Sequence, residues 1–111
     1  MTPRDIRVSL ADATRACERI ARFTARRTEE DFVEDDLLRS ATERQFTILG
    51  EALAQARKLQ PGLSLPELER IIGFRNRLIH SYDTVDPRIV WNIAQTHTPR
   101  LLKALREMGS G

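Results

Sequence analysis

Residues 75–83 carry the sequence RNRLIHSYD, and with the residues before them they predict a helix that bears several reactive side chains. At about 100° per residue, Arg75 and Tyr82 lie seven positions apart and fall on nearly the same side of that helix. A neighbouring stripe consists of Asn76, His80 and Asp83. Apolar residues bracket the direction of Arg75, namely Leu68, Ile71, Ile72, Leu78 and Ile79. The Arg75 charge therefore points toward packed surface, where it needs a partner.

Hydrophobic periodicity predicts two long helices before this motif helix. Apolar positions repeat at intervals of three and four up to about Arg27, which gives the first helix. Residues 28–36 are acidic and are expected to form a connection, in which Asp35 or Asp36 caps the second helix. The Pro-Gly pair at residues 61–62 ends that second helix.

Similar signals mark the start of the motif helix and of a fourth helix after it. Ser64 and Glu67 are three apart, which is the spacing of a capping box for the motif helix. Asp86 followed by Pro87 starts the fourth helix, and Pro99 is expected to kink or break it. No strand-like alternation competes with these patterns. The sequence therefore predicts an all-α, up-and-down bundle of four main helices.

Length and composition indicate one small domain. Of the 111 residues, we expect 1–108 to form a single helical domain and 109–111 to be a flexible tail. Such a chain can bury only a modest core, and packing against a second copy is a ready way to enlarge it. The formal charge of +2 is too balanced to indicate nucleic-acid binding by itself.

Composition also argues against several classes of protein. Cys17 is the single cysteine, which excludes an intramolecular disulfide framework and a thiolate metal site. The two histidines are far apart and no carboxylates converge with them, so neither a metal nor a cofactor is expected. The first residues of the sequence lack an apolar run, and nowhere do eighteen apolar residues follow one another. We therefore expect no signal peptide, no membrane span and a cytoplasmic location.

For several residues the sequence supports two interpretations. His97 has apolar neighbours at helical spacing, which is more typical of a packed, hydrogen-bonded histidine than of a ligand, and we leave it out of the site. Glu51 follows Gly50 on the second helix and is either a solvated side chain or a carboxylate placed near Arg75. A basic cluster on the first helix is either an RNA contact or a solvated face: Arg15, Arg19, Arg22, Arg26 and Arg27.

Four blocks of the sequence together resemble the HEPN superfamily, in its HepT-like branch of toxins associated with minimal nucleotidyltransferases. The motif helix carries R-x4-H-x-Y as Arg75, His80 and Tyr82. An N-terminal helix precedes it, as does the block ILGEA at residues 48–52, and VDPRIVW at residues 85–91 opens the last helix. The chain departs from the family pattern at Arg77, Ser81 and Asp83, where an aliphatic residue, a glycine and an aromatic residue are expected.

The resemblance implies a dimeric endoribonuclease whose composite site needs no metal. RNA supplies its own 2′-hydroxyl nucleophile, so cleavage requires a base, an acid and positive charge near the phosphate. Arg75 would then bind or polarise the phosphate, His80 would transfer protons and Asn76 would orient either group. Glu51 and Asp83 are expected close to this site. A two-fold axis beside the motif helix would bring two copies of Arg75 and His80 to one cleft.

The resemblance also implies how the activity is restrained. In the family, a companion minimal nucleotidyltransferase antitoxin transfers AMP to the tyrosine that corresponds to Tyr82. The adenylate would add bulk and negative charge beside Arg75. From the residues alone, a Tyr82 that simply packs with its hydroxyl hydrogen-bonded is an equal alternative.

The sequence leaves two other functions open. In the first, the chain is a non-catalytic adaptor or nucleotide-binding subunit of a nucleotidyltransferase complex, and Arg75, Asn76 and Tyr82 are contact residues. In the second, it is a degenerate dimeric scaffold. The presence of both Arg75 and His80 favours the nuclease.

Overall fold

The computed structural model describes residues 5–81 and 84–110, and every regular element in these ranges is helical. The elements are α1 (Ile6–Thr24), α2 (Glu29–Glu34), α3 (Asp36–Leu59), α4 (Leu68–Ser81), α5 (Pro87–Asn92), a π-helical turn (Ile93–His97) and α6 (Thr98–Ser110). The last three elements follow one another without a break and form one helical run. Within the described residues, the predicted all-α bundle with four long helical segments is therefore confirmed, and α4 is the motif helix.

The centre of the bundle is α3, which α1 and α4 both contact, and α6 packs against α1. Between α3 and α4, the rings of Phe46 and Phe74 meet edge to face with their centroids 5.2 Å apart. Fully buried apolar side chains from all four long segments complete the core: Ile20, Leu49, Leu53, Ile71, Val90 and Leu101. This packing fixes α4 against α3 immediately beside Arg75.

Carboxylate caps set the starts of two long segments as predicted. The Asp35 side chain accepts a hydrogen bond from the Leu38 N–H at 3.0 Å at the start of α3. The Asp86 side chain accepts one from the Arg88 N–H at 2.9 Å, with proline in the first turn of α5. At the other end of α1, the helix stops at Thr24 rather than near residue 27. Arg26 takes up left-handed backbone there, with φ 61°.

The segment 28–36, predicted to be a connection, contains the short helix α2. The Asp31 N–H donates to Thr28 Oγ1 at 3.1 Å, and the Thr28 N–H donates to the Asp31 carboxylate at 3.0 Å. Six residues make a marginal helix by themselves. Phe32 is fully buried and its ring lies 5.6 Å from that of Trp91, so contact with the last helical run holds α2 in place.

The predicted capping box between Ser64 and Glu67 is wrong. Glu67 precedes α4, and its backbone has a positive φ of 69°. Its carboxylate extends away from the backbone to the last helical run, where Oε2 lies 2.8 Å from His97 Nδ1, and it also lies 3.0 Å from Arg70 Nε. These charged partners compete with the cap, because a half-buried carboxylate is stabilised more by cations than by one backbone N–H.

The last helical run passes Pro99 without breaking. A proline ring collides with the carbonyl four residues earlier in an ordinary α-helix. The π-turn at Ile93–His97 lies just before Pro99 and widens the helix there, and the Thr98 hydroxyl donates to the Ile93 carbonyl at 3.0 Å. The predicted break therefore does not occur, and a π-turn lies just before the proline.

Helix α6 continues through Ser110. The flexible tail expected at residues 109–111 stays a prediction. Gly111 lies outside the described residues.

Among residues 5–81 and 84–110, no helix combines the length and the apolar character that crossing a bilayer requires.

Candidate active site

Arg75 lies where α4 crosses α3, and it is half-buried as the helical periodicity predicted. The aliphatic part of its side chain lies against the α3 backbone at Gly50. Its Nε is fully buried and has no hydrogen-bond partner among the described residues. Leaving a guanidinium N–H unpaired in this way is costly, and proteins rarely keep such a group without a use for it.

Arg75 lines a groove between α3 and α4 with a volume of about 510 Å³. The other lining residues are Glu51, Ala54, Gln55, Arg57, Lys58 and Pro61. Arg57 is paired with Glu69, at 2.8 Å. Within the described part of the chain, neither Arg75 nor Lys58 has a carboxylate within ion-pair distance. The groove therefore presents two positive charges outside ion pairs beside one carboxylate, that of Glu51, and its net positive charge suits an anionic ligand.

His80 and Asn76 lie on a different side of α4 from Arg75. Both are exposed, and neither lines the groove that holds the guanidinium. Five helical positions separate Arg75 from His80, which turns their side chains roughly 140° apart. One copy of the chain thus brings Arg75 and His80 onto one helix, and the groove that Arg75 lines among the described residues does not include His80.

The remaining predicted site residues have separate positions. Glu51 is exposed and shares the groove with Arg75, but among the described residues the two do not form an ion pair. Glu51 also lines a second groove, between α1 and α3, together with Asp12 and Ile48. Tyr82 and Asp83 lie outside the described residues.

The histidine excluded from the site is mostly buried, as predicted, although the predicted hydrogen bond is not seen. His97 is 13% exposed, and its Nδ1 lies 2.8 Å from Glu67 Oε2, within ion-pair distance but without hydrogen-bond geometry. The nearest Arg100 nitrogen lies 3.7 Å from the same carboxylate. This cluster connects the start of α4 to the last helical run, away from the groove of Arg75.

The basic cluster on the first helix is partly neutralised. Arg15 lies 2.7 Å from Asp12, and Arg27 lies 3.7 Å from Asp35. Paired, exposed arginines are typical of a solvated face. This supports the solvated-face interpretation over an RNA contact.

Sequence reasoning missed Lys58 and Gln55 as lining residues. Glu51, Gln55 and Lys58 lie at intervals of four and three on α3, so they share one helical stripe. That spacing was a usable signal. Recognising the stripe as part of a groove requires knowing which face of α3 borders α4, and an amphipathic pattern alone does not identify that face.

Among residues 5–81 and 84–110, no group of three or more histidine, cysteine or carboxylate side chains has the arrangement of a metal site.

Comparison with known proteins gives a consistent set of relatives. A family model described as ribonuclease HepT-like matches residues 13–108. A Methanocaldococcus jannaschii protein named as a candidate RNase is 30% identical, covering 97% of this chain and 90% of the relative. A Thermococcus cleftensis protein named as a candidate ribonuclease HepT is 33% identical, covering 83% of this chain and 84% of the relative. A candidate RNase of Caldanaerobacter subterraneus is 36% identical over 71% of each chain. No solved structure matches the chain.

Proposed function

Because the chain belongs to the HepT-like ribonuclease family, we propose that it is a metal-independent endoribonuclease and the toxin of a type VII HEPN/MNT toxin–antitoxin system. The observation that carries this proposal is the Arg75 guanidinium, held at a groove without a carboxylate partner among the described residues. A charge kept in this state is suited to an anion from outside the chain. An RNA phosphate is such an anion, and arginine can bind it through two parallel N–H donors.

The proposed reaction uses a nucleophile that the substrate itself carries. One His80 takes the proton of the RNA 2′-hydroxyl while the 2′-oxygen forms a bond to the adjacent phosphorus. A second imidazole gives a proton to the 5′-oxygen as its bond to phosphorus breaks. The products are a 2′,3′-cyclic phosphate and a 5′-hydroxyl. Arg75 offsets the negative charge that builds on the phosphoryl oxygens, and Asn76 orients the reacting groups.

Two copies of the chain are proposed to build this site. One chain holds one His80, on a side of α4 that does not include the groove of Arg75. A two-fold axis beside α4 supplies the second imidazole and brings His80 of one copy toward Arg75 of the other. Ile79 is 48% exposed beside His80, and a contact between copies at this place would cover it.

Cleavage of RNA in excess chelator tests the proposal. We expect the purified chain to produce 2′,3′-cyclic phosphate ends, and His80→Ala to lower the rate roughly 10²- to 10⁴-fold, the usual cost of losing a general acid–base group. His97→Gln is the matched control, because it changes the other histidine, and it should retain cleavage below its melting temperature. Unchanged cleavage by rigorously purified His80→Ala would contradict the nuclease. If that variant instead lost partner binding, the adaptor alternative would stand.

The proposed partner is a minimal nucleotidyltransferase that transfers AMP to Tyr82. An adenylate carries at least one negative charge, which would compete with RNA phosphate for Arg75 and also fill space beside it. Incubation with the partner and ATP should raise the mass of the chain by one or more AMP units, and Tyr82→Phe should show no gain. Absence of any gain with the wild-type chain contradicts this mode of neutralisation while leaving the nuclease proposal intact.

A further inference from the structure

Gly50 is a glycine in the interior of a long helix, and its backbone does not explain it. None of the described glycines has a positive φ, so Gly50 does not use the left-handed conformation that favours glycine. Glycine is also a poorer helix former than alanine. The explanation for Gly50 must therefore come from the space around it.

That space is occupied by Arg75. A Cβ atom placed on Gly50 would lie 2.3 Å from Arg75 Cβ, 2.6 Å from its Cγ and 3.4 Å from its Nε. The first two distances are far shorter than atoms tolerate. The closest atom belongs to the part of the side chain nearest the α4 backbone, so rotating the far end of Arg75 would not relieve the overlap. A side chain at residue 50 requires α4 itself to move away from α3.

The close approach has a consequence for the guanidinium. The Arg75 side chain begins in the space left by Gly50, and its Nε is buried. A side chain whose first atoms are confined in this way has few rotamers left. Arg75 also lines the groove that contains Glu51, Gln55 and Lys58, so restricting its rotamers restricts where its charge lies in that groove.

We propose that Gly50 is a positioning residue for Arg75: the missing side chain lets α4 approach α3, and the confined Arg75 then presents its guanidinium at a fixed place in the groove. Gly50 itself touches no substrate. The expected effect on cleavage rests on the proposed function, whereas the effect on the arrangement of α3 and α4 does not.

Gly50→Ala is the direct test, and Gly109→Ala is its matched control. Gly109 is also helical, lies on α6 away from the proposed site, and has nothing within 4 Å of an added Cβ. We expect Gly50→Ala to lower kcat for RNA cleavage about 10²-fold, the scale reached when a catalytic group is displaced by about 1 Å. Gly109→Ala should leave kcat unchanged. Equal kcat values in the two variants would overturn the positioning role without affecting the ribonuclease proposal.

A double-mutant cycle keeps the inference testable when Gly50→Ala folds poorly or no cleavage is measurable. Gly50→Ala should lower the melting temperature in the wild-type background. In an Arg75→Gly background the overlapping atoms are gone, so the same change should no longer lower it and, by helix propensity, should raise it. The ¹⁵Nε–¹H signal of Arg75 should also move in Gly50→Ala and stay in place in Gly109→Ala. A melting temperature lowered equally in both backgrounds would refute the competition between residues 50 and 75 for one space.

Discussion

At the scale of single residues, Arg75 is the side chain on which the proposed binding of an anion in the groove depends. Helical periodicity alone predicted that its charge points toward packed surface, and the structure confirms this. The buried, unpaired Nε and its contact with Gly50 could not be predicted to that detail. Both depend on the distance between two helices whose residues lie 25 positions apart in the sequence, and no local pattern encodes that distance.

Replacing Arg75 by lysine tests whether its forked donors matter as well as its charge. Lysine keeps one positive charge but lacks the Nε–H and the parallel N–H pair that fit a phosphate. We expect kcat for RNA cleavage to fall roughly 10²-fold, the lower end of the cost of losing a donor to a developing anion. Arg7→Lys, at an exposed arginine that pairs with Asp5, is the control and should cleave normally. Full activity in Arg75→Lys would mean that the positive charge of this residue is sufficient and that its parallel N–H donors are not required.

Cys17 provides a test of the packing of α1 that needs no activity. The thiol is completely buried, and burial raises its pKa to about 12. Because the pKa is raised, the thiol stays protonated at pH 8, and the reactive thiolate is scarce. Iodoacetamide at pH 8 should therefore modify Cys17 only after unfolding, as mass spectrometry would show. Rapid modification of the folded protein would mean that α1 is less tightly packed than described.

At the scale of elements, the sequence predicted the long helices well and their ends less well. Caps at Asp35 and Asp86 depend on nearby residues, and both were predictable from the sequence. The failed capping box at Glu67 reflects a contact with a distant residue instead. Glu67 lies 2.8 Å from His97, a residue 30 positions later, and this partner could not be identified before the fold was known.

The contact of Glu67 with the last helical run should stabilise the fold. Glu67→Ala would leave His97 and Arg70 without their carboxylate in a half-buried place, at a cost of about 1–3 kcal/mol in the free energy of unfolding. Glu69→Ala is the control, because it breaks the exposed ion pair with Arg57 and should cost less than about 1 kcal/mol. Urea denaturation measures both. Equal losses would show that the Glu67 cluster does not stabilise the bundle more than a surface pair does.

At the scale of the whole molecule, the helical bundle was predictable from the sequence, and the short helix α2 was not. The residues of α2 are acidic, and acidic runs are typical of connections. The signal that was missed is Thr28 followed three positions later by Asp31, but a six-residue helix depends on Phe32 reaching Trp91 in a distant part of the chain. Tertiary contact, rather than local propensity, decided that segment.

The arrangement of copies is the other property of the whole molecule on which the proposed chemistry depends. The groove holds Arg75 while His80 lies on another side of α4, so one chain presents the two groups apart. The account consequently requires a dimer with α4 at the subunit boundary. Sedimentation of the wild-type chain should give the mass of two copies, and a monomer at the concentrations used for cleavage would contradict it.

Subunit mixing tests the central claim most directly. Wild type and His80→Ala would be refolded together at varied ratios, and the RNA cleavage rate in chelator measured at constant total protein. If each site needs both copies of His80, the rate should follow the square of the wild-type fraction. An equimolar mixture then keeps about one quarter of the wild-type rate, because random pairing leaves about one quarter of the dimers intact. A rate proportional to the wild-type fraction would mean that each site uses only one His80, and the proposed pair of imidazoles would be wrong.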